Sequence, residues 1–297
     1  MTQQKVGVIG LGLMGTGMWS NLLKAQFAVV GFDIDPARVA ALEAAGGTGA
    51  GDAKSVAEAA DVIITSLPSA AAFEATLAAI AGVARPGQTI IDTSTLPVDL
   101  KERGQALLAN AGATLLDCPL VGGARQAIAG ELAVLTSGDE AACQAVDPVL
   151  QAFGRSIVYT GDFGSGTKMK LIANLLVAID NLATAEAFLL AEKAGLDLQR
   201  MFEVISATPA ASTVFKVRGP LMVAGRYDDP ETMSGTMMVP VKDNSIIEAF
   251  TKDLDCPTPL LSATMPIYAA ALSQGRIDQD VASLLAVLEQ MAGHARD

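Results

Sequence analysis

The chain has 297 residues, too many for one average domain and comfortable for two, and 51% of them are apolar but only 4% aromatic, a balance that suits close-packed helices better than an aromatic-rich β-sandwich. A formal net charge of −12 sets the surface against phosphate backbones and anionic lipid, so neither nucleic acid nor a membrane is an expected partner. The cysteines Cys118, Cys143 and Cys256 form no C-x-x-C pair and the only histidine is His294; a disulfide framework, a zinc site and a Ser–His–Asp triad are not expected, no metal ligand set is visible, and His294 reads as an exposed tail residue.

In chain order, Met-Thr-Gln-Gln-Lys leads into a short apolar run without the charged start and long apolar stretch of a signal peptide, which implies a cytoplasmic location. Strands are predicted at Val6–Ile9, Ala28–Phe32, Val62–Leu67, Thr89–Asp92, Thr114–Asp117, Ala133–Thr136 and Ile157–Tyr159. Between them lie alanine-rich helical segments such as Pro36–Ala45, Ser55–Ala60 and Val98–Asn110. Continuous apolar strands alternating with helices predict an α/β, doubly wound and mostly parallel sheet. After Gly164 only helices are read: Lys168–Lys193, ended by Gly195, then Leu198–Ala207, Ser245–Phe250, Pro259–Ser273 and Asp280–Met291. Leu171 to Ala191 is apolar enough to span a membrane, but Asn174, Asp180, Asn181 and Glu186 would be costly in lipid, so it is read as a central helix of a soluble protein. The expected division is a Rossmann domain over 1–163 and an all-helical domain over 164–297 carried on a long interdomain helix.

Gly10-Leu11-Gly12-Leu13-Met14-Gly15 matches G-x-G-x-x-G. The motif alone is weak, but here it follows a strand and opens a helix. Gly10 would allow the tight turn, Gly12 a close pyrophosphate, and Gly15 close helix packing, with phosphates at the helix N-terminus. Asp33 ends the next strand about twenty residues on, where an acid accepts the ribose hydroxyls of NAD and repels a 2′-phosphate. No arginine immediately follows Asp33; Arg38 falls inside the next helix. NAD is therefore the expected cofactor, ahead of NADP.

Four segments together resemble the β-hydroxyacid dehydrogenases, the group that includes 3-hydroxyisobutyrate dehydrogenase. They are Gly7 to Gly15, Asp117-Cys118-Pro119-Leu120-Val121-Gly122-Gly123, Gly164-Ser165-Gly166-Thr167-Lys168-Met169-Lys170, and Lys242-Asp243. The resemblance implies a Rossmann domain followed by a helical one, and hydride transfer between NAD(H) and a small 3-hydroxy acid or its semialdehyde. It implies that Lys170 moves the hydroxyl proton and that Asn174, one helical turn on, orients the hydroxyl. A lysine acting as base must spend time neutral, which desolvation and a nearby nicotinamide cation favour. By the same resemblance Leu67, Pro68, Thr95 and Lys242 border the cofactor, and the protein is a homodimer or homotetramer. Without the motif Lys170 would read as a surface lysine. Thr95 also suits a helix N-cap, and Lys168 reads as solvated.

The chain departs from the family in two places. Val121 stands where a serine hydroxyl usually helps the following glycine amides hold the substrate carboxylate, a loss of roughly one to three kcal/mol. Gly122 and Gly123 keep their amides, and Arg125 is a candidate substitute anion contact. Near Met233-Ser234-Gly235-Thr236-Met237-Met238 some relatives place an aromatic, so methionines there either widen the pocket or fill the core. Two other readings compete: a reductase of imines or non-carboxylate carbonyls on the same scaffold, which Val121 favours a little, and a non-catalytic dinucleotide-binding protein, which the presence of Lys170 disfavours.

Overall fold

The computed structural model describes residues 5–294. The chain divides into two compact units, Met1–Lys170 and Leu171–Asp297. The first contains β1 (Lys5–Ile9), α1 (Leu13–Lys24), β2 (Ala28–Phe32), α2 (Pro36–Ala44), β3 (Thr48–Gly49), α3 (Ala53–Ala59), β4 (Val62–Thr65), α4 (Ala70–Ala81), β5 (Thr89–Asp92), α5 (Val98–Asn110), β6 (Thr114–Asp117), β7 (Leu120–Val121), α6 (Ala124–Ala129), β8 (Leu132–Thr136), α7 (Glu140–Leu150) and β9 (Gly154–Tyr159). Helix α8 (Ser165–Lys193) runs on into the second unit, which continues with α9 (Leu198–Ser206), α10 (Thr213–Ala224), α11 (Met238–Asp253), α12 (Pro259–Ser273), a short 3-10 turn at Val281–Ser283 and α13 (Leu284–Met291).

Six parallel strands form one sheet in the order β3-β2-β1-β4-β5-β6, the doubly wound arrangement, in which the strand order reverses beside β1. Side chains alternate across it. Val6, Val8, Ile64, Ile91 and Leu116 join one buried cluster, while Ile9, Ile63, Ile90 and Leu115 join the other, as a two-residue period requires. β7, β8 and β9 make a second sheet, with β7 antiparallel to β8 and β8 parallel to β9. The two-residue strands β3 and β7 were too short to be read from the sequence; α4, α6 and α7 complete the connections, and α10 is a further helix of the second unit. Many helices start on a local acceptor: the side chains of Asp52, Ser69, Asp139, Asp197 and Ser212 each accept an N–H from the first turn, satisfying donors that have no intrahelical partner.

In the second unit, α8 buries Ala178, Leu182, Ala185, Phe188 and Ala191, an i, i+3/i+4 stripe. Asn181 donates to the Tyr268 hydroxyl at 3.4 Å, which donates to the Ala178 carbonyl at 3.3 Å; burial pushes the Tyr268 hydroxyl up to about 12. Length and composition alone would let α8 cross a membrane. Its Asn181 and Thr184 are buried polar groups. His294 lies 3.5 Å from Glu192 and is half-buried, so it is not the exposed tail residue expected. The last helix begins at Leu284 rather than Asp280, because the buried Asp280 carboxylate accepts the Ala282 N–H and caps the preceding 3-10 turn.

The first unit also has a charged centre. Lys101 on α5 is wholly buried, with Nζ 2.7 Å from Asp117 Oδ1 and 2.9 Å from Asp92 Oδ2. Burial drives the lysine down, but the two carboxylates outweigh it and hold it above its ordinary value. Burial likewise raises Asp117, and the Lys101 charge together with hydrogen bonds from Lys101 and Thr167 more than offsets this, so Asp117 lies below its ordinary 3.8. A depressed carboxyl stabilises the fold above its unfolded pKa and loses that contribution as pH falls through the folded one. The Lys101 contribution is present below its unfolded value and is lost only in strong base. Asp117→Asn should therefore lower Tm at pH 7, with the gap to the native protein closing progressively below pH 3.8; a gap constant across an acid melting series would refute this. The fingerprint glycines differ in a second testable way. A Cβ on Gly15 would lie 2.0 Å from the Gly10 carbonyl oxygen, whereas one on Gly12 would meet only the flexible Arg38 Nη1 at 3.2 Å. Gly15→Ala should lower the urea midpoint clearly and Gly12→Ala should leave it near native.

Candidate active site

The first-unit residues expected at a cofactor lie at the C-terminal ends of the parallel strands, where α/β sheets bind ligands. Gly10 follows β1 with φ +90, and a Cβ there would be 2.2 Å from the Ser66 carbonyl oxygen; only glycine fits both demands. Gly12 caps α1 with no side-chain partner for the first-turn amides, which leaves those donors for an anion. Leu11 is buried, Met14 packs on the core, and Leu13 is exposed at the helix start. The Leu11 N–H donates to Asp33 Oδ2 at 2.7 Å, so the acid at the end of β2 is tied directly to the glycine turn. Asp33 Oδ1 accepts the Asp35 N–H at 2.9 Å. Arg38 Nη1 stands 3.3 Å from Asp33 Oδ2. The arginine that looks remote in sequence is therefore brought onto the acid, because α2 turns back over the fingerprint.

Leu67 and Pro68 follow β4, and the Leu67 N–H is accepted by Ser94 Oγ at 2.9 Å. Ser94 donates to Asp92 Oδ1 at 2.7 Å, as does Thr65 from β4 at 2.7 Å. Thr95 is partly buried beside them. It does not cap α5, whose N-cap is Pro97.

After β6, Val121 is held in β7, paired with Ala133. Gly122 has φ +130 and needs to be glycine. The Gly123 N–H is already donated to Gln126 Oε1 at 3.0 Å. A carboxylate at these glycines therefore competes with an exposed glutamine side chain for one of the two amides. Arg125 is exposed on α6.

Lys170 is the last residue of the first unit and is partly buried on α8; Lys168 is exposed. The start of α8 is fixed from below. The Thr167 N–H donates to Asp117 Oδ2 at 2.8 Å and its hydroxyl to Asp117 Oδ1 at 2.6 Å, while the Gly166 N–H donates to Ser137 Oγ at 3.1 Å. In the sequence Asp117 and Thr167 stand out only as parts of motifs, and Lys101 does not stand out at all. A fully buried lysine is rare unless paired, and nothing local in the sequence marks this one.

In the second unit, Asn174 Nδ2 donates to Asp243 Oδ2 at 2.7 Å, and Lys242 Nζ lies 3.1 Å from Asp243 Oδ1. The buried Asp243 thus holds the Asn174 amide by its nitrogen. Asp280, also buried, pairs with Arg218 at 2.7 Å and accepts N–H groups from Ser234 and Gly235 at 2.8 and 3.3 Å; Arg218 also donates to the Ser234 hydroxyl. These bonds pin the methionine-rich loop before α11. Its Met237 is core and its Met238 is exposed. Among the described residues no group of three or more His, Cys, Asp or Glu is placed to hold a metal. All three cysteines are free thiols; burial raises Cys118 well above its ordinary range and Cys143 to about 11.

The arrangement fits a dinucleotide: an open amide turn, an acid at the next strand end, and a wall made by the two following strand ends. Comparison with known proteins agrees. Residues 5–161 match the family model of the NAD binding domain of 6-phosphogluconate dehydrogenase, and residues 164–288 that of the NAD-binding domain of NADP-dependent 3-hydroxyisobutyrate dehydrogenase. The chain is 31% identical over 293 residues to 2-(hydroxymethyl)glutarate dehydrogenase of Eubacterium barkeri, covering 97% of this chain and 96% of that one. It is 30% identical to L-threonate dehydrogenase of Cupriavidus necator, covering 96% of each. The solved Mycobacterium tuberculosis 3-hydroxyisobutyrate dehydrogenase with L-serine superimposes with a TM-score of 0.88 at 28% identity, covering 97% of this chain and 99% of that one. An imine reductase from Pseudomonas shares the fold at 22% identity and a TM-score of 0.63. The chain belongs to the β-hydroxyacid dehydrogenase family, enzymes that act on CH–OH donors with a nicotinamide dinucleotide.

Proposed function

We propose that this protein is an NAD-preferring dehydrogenase of a small 3-hydroxy acid, or in reverse a reductase of its semialdehyde, with Lys170 as general acid and base. The observation that carries the reading is the placement of Lys170 one turn into a helix whose start is locked by buried hydrogen bonds, with Asn174 one turn further on the same helix. A bound nicotinamide would supply the hydride acceptor for the alcohol carbon in oxidation and the hydride donor for the carbonyl carbon in reduction. Lys170 Nζ accepts the hydroxyl proton in oxidation and gives it back in reduction. The Asn174 carbonyl, the end of the amide that Asp243 does not hold, accepts from the substrate hydroxyl and orients it. Leu67, Pro68 and Thr95 border the cofactor.

Asp33 carries the preference for NAD. Its carboxylate has about four acceptor sites, and the Leu11 and Asp35 amides and Arg38 use three of them. Ribose hydroxyls replace Arg38 at this edge, which the half-exposed guanidinium permits. The same arginine tempers the repulsion of a 2′-phosphate, so NADP is discriminated against without being excluded. Asp33→Ala should raise kcat/KM for NADP relative to NAD by tenfold or more, and adding Arg38→Ala should remove most of that gain; unchanged preference in both variants would sink the assignment.

One observation favours a second reading, an uncharged carbonyl or imine as substrate. Val121 offers no hydroxyl, and one of the two glycine amides is engaged by Gln126. Arg125 is the candidate carboxylate contact under the first reading. A membrane or nucleic acid has no place in either, and both put the protein in the cytoplasm. The same proposal takes the protein as a homodimer or homotetramer. Supporting this, α9 buries none of its residues, and α8 exposes Ile172, Leu176, Val177 and Leu190.

The deciding experiment follows NAD reduction with a panel of 3-hydroxy acids and uncharged alcohols, for the native protein and Lys170→Ala. A lysine-dependent rate on the acids, falling by about three orders of magnitude or more in the variant, is the expected result. Activity surviving in Lys170→Ala would refute its role, and lysine-dependent activity on uncharged alcohols alone would support the second reading.

A further inference from the structure

Replacing a buried ion cluster with apolar side chains is often neutral for stability, so three charged groups with no solvent exposure call for a role in geometry. Lys101, Asp92 and Asp117 stand on α5, β5 and β6, the two acids at the strand ends that face the proposed site. Lys101 uses one oxygen of each carboxylate. The hydrogen bonds that remain run in two directions. From Asp92 Oδ1 they pass to Thr65 and Ser94, and from Ser94 Oγ to the Leu67 N–H, which places the Leu67–Pro68 and Ser94–Thr95 segments. From Asp117 they pass to the Thr167 amide and hydroxyl and to Ser137, whose Oγ takes the Gly166 N–H. Gly166 and Thr167 are first-turn amides of α8, donors without intrahelical partners, so the helix start is capped by a carboxylate fifty residues away in sequence. Lys170 follows within one turn.

We infer that Lys101 is a positioning residue, whose single ammonium joins a cofactor arm (Asp92, Ser94, Leu67) to a proton arm (Asp117, Thr167, the start of α8) and so keeps the hydride acceptor and Lys170 in register. The inference rests on Lys170 as the proton carrier. It has a consequence that a merely structural ion cluster does not: the arms can be cut separately, with different kinetic signatures.

Thr167→Val keeps shape and backbone N–H but removes the hydroxyl bond to Asp117. It should lower kcat about tenfold or more, since small misplacements of a reacting group are costly. It should also shift the limb of the pH–rate profile that reports Lys170, and leave NADH binding, read by fluorescence titration, near native. Thr167→Ser, which restores the oxygen, should recover most of the rate. Ser94→Ala cuts the other arm and should weaken NADH binding several-fold with a smaller effect on kcat. Lys101→Met should show both effects; if it does not fold, the two arm variants still decide the matter. Native kcat, pH profile and NADH affinity in Thr167→Val and Ser94→Ala, with only Tm lowered, would overturn the inference. Lys170→Ala, assayed alongside, separates the two failures. If it is inactive while Thr167→Val is native, only the positioning role falls. If Lys170→Ala is active, the proton-carrier reading falls and the positioning role with it.

Discussion

An ammonium without access to water needs its charge balanced within a few ångströms, and Lys101 finds that balance in Asp92 and Asp117 at the ends of β5 and β6. Moving any one of the three would leave a buried charge without its partner, at a cost of about 3–5 kcal/mol. The constraint therefore reaches beyond the cluster. It sets where β5 and β6 end relative to α5, where the loops after β4 and β5 run, and where α8 begins. The apolar clusters on the two sheet faces supply most of the burial, but apolar contact is non-directional, whereas hydrogen-bonded charges hold a geometry.

The proposed chemistry asks for that kind of hold. Hydride transfer requires a donor carbon, a nicotinamide ring and a proton carrier to be aligned together. In the first unit the cofactor-side loops and the start of the Lys170 helix hang from the same charged centre. In the second unit a comparable device works on a smaller scale: buried Asp243 fixes Asn174, and buried Asp280 with Arg218 fixes the loop before α11. In each case a buried carboxylate orients a neighbouring segment.

The two departures from the family pattern have different surroundings. Val121 removes a hydroxyl beside two glycines, one of whose amides, that of Gly123, is donated to Gln126. The methionine-rich segment is held by Arg218 and the buried Asp280, with Met237 in the core and Met238 exposed.

The periodicity of apolar residues was enough to place seven of the strands and the long helix; in the six-stranded sheet, burial on both faces writes continuous apolar runs. The fingerprint glycines and Asp33 were legible because their demands are local: a positive φ at Gly10, close packing at Gly15, an acid at a strand end. The two-residue strands β3 and β7 were not legible, since two residues carry no period. Nor was the pairing of Arg38 with Asp33, which depends on how α2 folds back, or the capture of the Gly123 amide by Gln126. Lys101 is the clearest case. In sequence it is a lysine on a helix, indistinguishable from a solvated one, and only the approach of two strand ends sixteen and nine residues away makes it a buried counter-ion. What the sequence by itself determined was the local chemistry and the order of elements; which charges meet, and so what holds the site in place, was decided by tertiary structure, because a charge pair is a property of distance in space and not of spacing in the chain.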